Sequence, residues 1–591
     1  MAVRAELILF VVALSLAALA FAFVVPRRRS RWRTPFAAAC CAIAGLAPLL
    51  MYFALDPERA RGRALWEWSA IGGPTIQASY RLDGLATIAV AIGALYVAAA
   101  LVATTRVSAR HQLLRPVILL NGLVLMTLVV TDDLIACIVI LGALGSLTSF
   151  IALLVSPAAA VARVTGYLAG GVQGFVVAAL LVSRFGGASF RFDTISPEAM
   201  TPGVVLAASL GAALFAGLYP FVPWGYRQEE AGERESLRGL LTMPAGIGAT
   251  VVLCRILGVT RIDLSTLALP AIISTELIAL VVAALALRFI ARRRAQGLRR
   301  RIALSALVLV LILAYPFLHW SHVILVASIL TIAYAAAVSL ALPEQWPITR
   351  HDVVLATLFI ALATGSPTAL AGAVVILAGG GLAAVADGFW MPPHRSYITS
   401  MASSTVIVAG ALTIAIGALE VPDLVTLVLA VVAAVAVLGL ELAQAGRRLG
   451  IAPVPSDLDV SASIASFLGT IMVALTLSLP LFDAMSGAFG RPNTRAFDDL
   501  VTLVPAVTVF STLLVVAARA VRELLPQLTV LSARLEAVVS AADPVPIAAA
   551  WFRGLAGSAT TVSAVFAMFE ERAGVWLALM LIATLLVWAA R

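Results

Sequence analysis

Apolar stretches long enough to cross a lipid bilayer recur along the whole of this 591-residue chain. A membrane-spanning helix needs about 20 predominantly apolar residues, because the hydrocarbon core is about 30 Å thick and a helix rises about 1.5 Å per residue. The sequence therefore predicts an all-α polytopic integral membrane protein with about 17–18 transmembrane helices. The predicted spans are 5–25, 36–55, 84–104, 116–131, 133–155, 164–183, 203–224, 239–258, 266–290, 302–318, 322–342, 353–366, 368–388, 397–418, 421–445, 460–482, 497–519 and 574–590.

The amino-acid composition supports a membrane protein and limits the kinds of partner that the chain can bind. Hydrophobic residues make up 62% of the chain and charged residues 12%, whereas a soluble domain carries about 25% charged residues. The net charge of +9 comes from arginines that cluster in loops, where they meet anionic lipid and set topology. We therefore expect the bilayer as a partner, and no nucleic acid.

Every basic side chain in the sequence is an arginine, since the 40 Lys+Arg residues include no lysine. Arginine keeps its proton even where a buried lysine would release it. A proton relay through lysine is therefore impossible in this chain. The missing lysine has two equally good explanations, a biased base composition of the genome or selection against lysine.

Arginine-rich loops follow the odd-numbered spans in the first half of the chain. By the positive-inside rule these loops face the cytoplasm, which predicts an inner-membrane protein with its N-terminus outside. The segment 5–25 is long for a cleaved signal peptide, and its arginine run follows it, so we interpret it as a retained first helix. The basic loops lie at 27–33, 106–115, 163, 227–238 and 292–301.

The predicted spans divide the chain into three regions. Residues 1–80 hold N-terminal transmembrane helices and an outer loop, 81–445 a transmembrane core, and 446–591 C-terminal helices ending in a last span. Within the third region, the segment 520–560 has leucines at helical spacing with charged residues between them. One interpretation is an amphipathic helix that lies along the membrane face or against partner subunits. The other is an ordinary connector between two spans.

Gly365-Ser366-Pro367 separates two later spans and predicts an interrupted helix. The glycine run 379–381 lies inside an apolar span without the strand and lysine of a phosphate-binding loop, so it indicates close helix packing or a local break.

Four stretches resemble the antiporter-like membrane subunits of respiratory complex I, membrane-bound hydrogenases and multi-subunit cation/proton antiporters. They occur in the family's order and spacing over about residues 80–310, and the remaining 280 residues are similar mainly in helix number. The stretches are 80–85, 131–150, 211–255 and, more weakly, 298–305. The third resembles the family's broken helix at Pro220-Phe221-Val222-Pro223-Trp224 and the helix after it, so the resemblance implies an interrupted helix there.

The positions that carry protons in that family are not titratable in this chain. Alignment on Ser149-Phe150 puts Ala143 at the family's glutamate, and alignment on Asp132 puts Gly142 there. Phe215 stands at the lysine of the broken helix and Val222 at the following histidine. The resemblance implies that family members move protons through that glutamate, lysine and histidine. This chain is therefore identified as a degenerate member in which all of these relay residues have been replaced.

Few charged residues remain as candidates for an ion path. Glu276 lies within a predicted span, where a carboxylate is either functional or paired with an arginine such as Arg255. Asp132 and Asp133 are expected at the outer surface, either capping the next helix or admitting an ion. Three other acidic residues near span ends are predicted to be interfacial: Asp387, Glu441 and Asp483.

The sequence shows no sign of an enzyme active site or cofactor. The four cysteines lie in apolar segments and the five histidines are scattered in or beside loops, which predicts no metal site and no catalytic cluster. We expect a membrane subunit of a complex I-like, hydrogenase-like or ion- or bicarbonate-uptake assembly, with other membrane subunits as partners and a structural or coupling role. The alternative is an active proton- or cation-coupled transporter with a non-standard path around Glu276.

Overall fold

The computed structural model describes about half of the chain, mostly between residues 63 and 451. The described residues are 18–19, 36–41, 43–45, 63–69, 75–81, 83–104, 113–156, 158–185, 189–222, 235–260, 319–341, 346–388, 393–421 and 423–451. The chain divides into units 1–541 and 542–591, and the second lies wholly outside these residues. So do Glu276 and the predicted amphipathic helix at 520–560.

Eleven α-helices and one β-hairpin make up most of the described structure. The helices are α1 (Gly84–Ala103), α2 (Leu114–Val130), α3 (Leu134–Val155), α4 (Ala158–Arg184), α5 (Pro202–Ala216), α6 (Glu235–Thr260), α7 (Trp320–Ala341), α8 (Trp346–Thr364), α9 (Pro367–Gly388), α10 (Pro393–Ala418) and α11 (Leu424–Ile451). Among the described residues, six helices are long and apolar enough to cross a membrane: α1, α3, α4, α6, α7 and α11. The predicted all-α polytopic membrane fold is confirmed.

The loop before α1 contains regular structure that the hydropathy pattern does not reveal. Strands β1 (Arg63–Ser69) and β2 (Thr75–Tyr80) pair antiparallel, with Arg63 opposite Tyr80 and a register shift between Ala64 and Trp66. Tyr80 also bridges Thr131, just after α2. The hairpin is thereby attached to the end of the helix bundle.

Helices α1 and α6 form the centre of the described bundle. They pack on each other, α1 also packs on α2 and α9, and α6 on α2, α3, α5 and α8. By contrast, α3, α4 and α11 each leave an apolar face exposed, including Val139, Leu180 and Val435. Exposed apolar faces on the outer helices are what a bilayer-embedded bundle requires.

The two predicted interruptions differ in structure. Helix α5 ends at Ala216 with Gly217 in the left-handed conformation, and residues 218–222 continue without helix. Gly365 and Ser366 instead form a turn between α8 and α9, which pack against each other. The glycine run 379–381 lies inside α9 without a break, and a Cβ at Gly380 would lie 2.6 Å from the Tyr96 hydroxyl.

Candidate functional site

Phe215 occupies a closely packed apolar site near the end of α5. Its side chain is buried, and its ring centre lies 6.4 Å from that of Phe175 on α4. A Cβ added at Gly171 would lie only 2.5 Å from Phe215 Cδ2, so the ring lies directly against the backbone of α4.

The residue of α3 that faces Phe215 is Gly145. A Cβ built there would lie 3.8 Å from Phe215 Cε1. Ala143, two residues earlier, is on the exposed face of α3, and Leu141 is fully buried. The helix therefore presents a residue without a side chain to Phe215.

Val222 is also buried, just after the end of α5. In this non-helical stretch the backbone N–H of Tyr219 donates to Thr331 Oγ1 of α7 at 2.8 Å, and the Tyr219 and Tyr334 rings lie 6.1 Å apart. The break after α5 is thus held by α7. An unpaired peptide N–H inside a bilayer is costly, and the Thr331 hydroxyl satisfies this one.

Asp132 and Arg255 form a buried ion pair at the end of the bundle that carries the hairpin. Arg255 Nη1 lies 3.2 Å from Asp132 Oδ1, and Arg255 Nη2 donates to the Val129 carbonyl at 2.8 Å and lies 3.7 Å from Asp83 Oδ1. Burial raises the pKa of Asp132 to about 6, although Arg255 and Arg81 lower it. The Asp132 carboxylate is therefore still mostly ionised at neutral pH.

The backbone of Asp132 connects two neighbouring segments. Its N–H donates to the Ser79 carbonyl at 3.0 Å, and its carbonyl accepts from the Phe192 N–H at 3.1 Å. Asp133 is the N-cap of α3, because its carboxylate accepts from the Ala136 N–H at 2.9 Å. Both aspartates are buried within the protein, so this end of the bundle is closed by paired charges and backbone hydrogen bonds.

Sequence reasoning missed a buried polar cluster on α8 and α11. Glu441, predicted to be interfacial, is buried on α11 beside Arg350 of α8, and His351 and Asp352 next to that arginine are also buried. The His351 ring meets the Tyr96 ring edge-on, with centres 5.9 Å apart. The available signal was the Arg350-His351-Asp352 run at the start of an apolar span, but its partner lies in a distant segment.

A second set of polar contacts lies near the starts of α7 and α11. His322 Nε2 lies 2.6 Å from Asp423 Oδ2, and Asp423 also accepts from the Thr426 hydroxyl at 2.6 Å. Burial acts to raise the pKa of Asp423, but hydrogen bonds from Thr426, His322 and the Val425 N–H outweigh it and hold the pKa at about 2. Asp423 is therefore ionised through the physiological range.

The chain is a multi-pass membrane protein, and it shares its fold with chains of two solved membrane complexes. A chain of respiratory complex I from Thermus thermophilus is similar to it, with a TM-score of 0.54 and 14% identity over 82% of this chain and 99% of that chain. A chain of the Mrp complex from Dietzia sp. DQ12-45-1b gives a TM-score of 0.64 and 14% identity over 99% of this chain and 63% of that one. No family model and no curated protein sequence matches the chain.

Proposed function

We propose that this chain is an antiporter-like membrane subunit of a multi-subunit complex, in which it supports or couples its partners without a Glu–Lys proton relay. The fold it shares with chains of complex I and of the Mrp complex supports the first part. On this proposal its partners are other membrane subunits of a respiratory, hydrogenase-like or ion-uptake assembly. It lies in the inner membrane with its N-terminus outside.

The packing around Phe215 is the observation that carries the second part of the proposal. A proton path at membrane depth needs groups that gain and lose a proton and polar surroundings that hold water between them. Phe215 offers an aromatic ring, its neighbour on α3 is Gly145, and its neighbours on α4 are Gly171 and Phe175. None of these four residues has a titratable side chain.

Loss of both members of an opposed charge pair is compatible with a stable fold. Removing one partner of a buried pair leaves an uncompensated charge and costs about 3–5 kcal/mol, whereas replacing both with well-packed apolar groups is often neutral or stabilising. Gly145 and Phe215 fit that second situation, since the ring lies close to the space that a side chain at Gly145 would take. A subunit with a structural role could therefore lose both charged residues and still keep its fold.

Ion flux through reconstituted vesicles tests this proposal against the transporter alternative. The purified chain is placed in liposomes with an internal pH dye, and a pH step or a Na⁺ gradient is applied. The proposal predicts the same rate of dye response in vesicles with the wild-type chain, with the Glu276→Gln variant and without protein. A wild-type flux that falls severalfold in Glu276→Gln contradicts the proposal and supports a transport path at Glu276.

A further inference from the structure

Gln173 is a polar residue in the middle of an apolar helix that is long enough to cross a membrane. It lies on α4, 13 residues after Ala160 and 11 before Arg184, the two ends of the apolar segment. At about 1.5 Å per residue these separations are about 20 Å and about 17 Å. Since the hydrocarbon core is about 30 Å thick, Gln173 lies near the middle of the bilayer.

The Gln173 side chain lies on the outer face of α4. The inner face packs on α5, where a Cβ at Gly174 would lie 2.8 Å from the Ala207 carbonyl oxygen. Gln173 is exposed, as are Val177 and Leu180, which follow it at helical spacing. The amide is therefore on the side of the helix that a lipid tail or a second protein helix would contact.

Among the described residues, the Gln173 amide has no hydrogen-bond partner. Thr127 of α2 and Ser146 of α3 are also exposed polar residues within apolar helices, but their hydroxyls donate to the Leu123 and Gly142 carbonyls at 2.9 and 2.8 Å. A glutamine amide carries two N–H donors and one carbonyl acceptor. Because lipid tails offer neither donors nor acceptors, a protein group at the same depth must satisfy this amide.

Small residues precede Gln173 on the same face of the helix. Ala169 is exposed one turn earlier, and a Cβ added at Gly166 would meet nothing within 4 Å. Small side chains allow the backbone of a second helix to approach closely enough for a side-chain amide to bridge the two helices. We call this surface the Gln173 face, formed by Ala162, Gly166, Ala169 and Gln173.

We propose that the Gln173 face of α4 binds the same face of a second copy of this chain. Copies of one membrane protein share one orientation, so a twofold axis along the membrane normal makes the two α4 helices parallel. Gln173 then lies opposite Gln173 at the same depth. Each amide carbonyl can accept an N–H from the other amide, so this pairing needs no further polar group.

A helix of another subunit would need a polar side chain placed at this depth, whereas a second copy has one there by symmetry. The depth and the donor–acceptor content of the amide therefore favour self-association. This inference goes beyond the proposed function and does not depend on it, because a dimer needs neither ion transport nor its absence.

Energy transfer between labelled copies of the full-length chain in liposomes tests the proposal. Chains that carry a donor or an acceptor dye at the N-terminus are reconstituted together at decreasing protein-to-lipid ratios. We expect wild-type transfer to follow a monomer–dimer equilibrium, and Gln173→Leu to weaken dimerisation by about tenfold through loss of two hydrogen bonds within the membrane. Thr127→Val is the matched control, because that exposed hydroxyl is already bonded within its own helix, and it should dimerise as wild type does.

Two results of this experiment overturn the proposal. One is a wild-type chain that remains monomeric at every ratio, which would assign the amide to another subunit or to another segment of this chain. The other is an unchanged dimerisation curve in Gln173→Leu, which would place any dimer contact on another surface.

Disulfide cross-linking in the same vesicles is a second test that leaves Gln173 in place. A disulfide needs Cα atoms within about 7 Å of each other, and the four native cysteines are buried. Ala169→Cys should give a cross-linked dimer on oxidation, whereas Val435→Cys, 59% exposed on α11, should remain monomeric. No dimer from Ala169→Cys, or equal yields from both variants, overturns the proposal. Neither measurement involves ion flux, so failure here is distinct from failure of the proposed function.

Discussion

Arg255 Nη1 and Asp132 Oδ1 lie 3.2 Å apart and join α6 to the segment between α2 and α3, at the end of the bundle that carries the hairpin. Their side chains are 4% and 0% exposed. Asp132→Asn removes the charge but keeps the shape, so it leaves Arg255 with Asp83 at 3.7 Å and backbone carbonyls. We expect a loss of about 3 kcal/mol of unfolding free energy, measured at neutral pH in detergent or nanodiscs.

Asp193→Asn is the matched control for that substitution. Asp193 pairs with Arg191 on a more exposed part of the same end, with 31% of its side chain accessible. Exposed pairs contribute about 0–1 kcal/mol, so this variant should unfold almost as wild type does. If both variants lost the same unfolding free energy, the burial of Asp132 and Arg255 would not determine how much their ion pair stabilises the fold.

Gly171 should tolerate no larger residue, whereas Gly145 should tolerate alanine. A Cβ at Gly171 would lie 2.5 Å from the Phe215 ring and 3.0 Å from the Gly211 carbonyl, but one at Gly145 would make contacts of 3.5 Å or longer. Gly171→Ala should therefore cost about 1–3 kcal/mol through overpacking, and Gly145→Ala much less. Thermal inactivation half-lives would compare the two, and the reverse order would contradict the packing described around Phe215.

Asp423 should make stability depend on pH in the acid range. Its pKa is lowered from 3.8 to about 2, so the folded state holds the carboxylate ionised more strongly than the unfolded state does. The resulting stability is present above about pH 4 and is lost as pH falls towards about 2. The melting-temperature difference between wild type and Asp423→Asn should shrink from about pH 6 to about pH 3. A constant difference over that range would mean that the His322–Asp423 contact does not govern this titration.

The crossing of α9 and α10 depends on two glycines in contact. A Cβ at Gly410 would lie 2.5 Å from the Gly372 carbonyl oxygen, and a Cβ at Gly372 would lie 2.6 Å from the Gly410 carbonyl oxygen. Gly410→Ala should force the helices apart at a cost of about 2 kcal/mol. Gly439→Ala on α11, where an added Cβ meets nothing within 4 Å, is the control. Equal unfolding temperatures for the two variants would contradict the close crossing.

The membrane-spanning helices were predictable because apolar length alone determines them. The predicted span 84–104 corresponds to Gly84–Ala103, and 133–155 corresponds to Leu134–Val155. The faces of those helices were not predictable, because a helix that is apolar all round carries no periodic signal of orientation. For that reason the sequence could not show which residue of α3 faces Phe215, and the structure places Gly145 there.

Ion pairs between distant segments were the other feature that the sequence could not predict. Glu441 pairs with Arg350, and Asp132 with Arg255, across segments that only the folded bundle brings together. A single sequence shows that each residue is charged and near a span end, which is typical of interfacial side chains. The pairing that allows such residues to be buried becomes visible only in the structure.

Proton flux in proteoliposomes that contain only this chain tests the central claim most directly. The account predicts that the wild-type chain gives no more flux than protein-free liposomes, because neither Phe215 nor Gly145, the residue of α3 that faces it, has a titratable side chain. It also predicts the same result for Glu276→Gln. Sustained flux above the protein-free rate in wild type, lost in Glu276→Gln, would contradict the account and establish the chain as an active transporter.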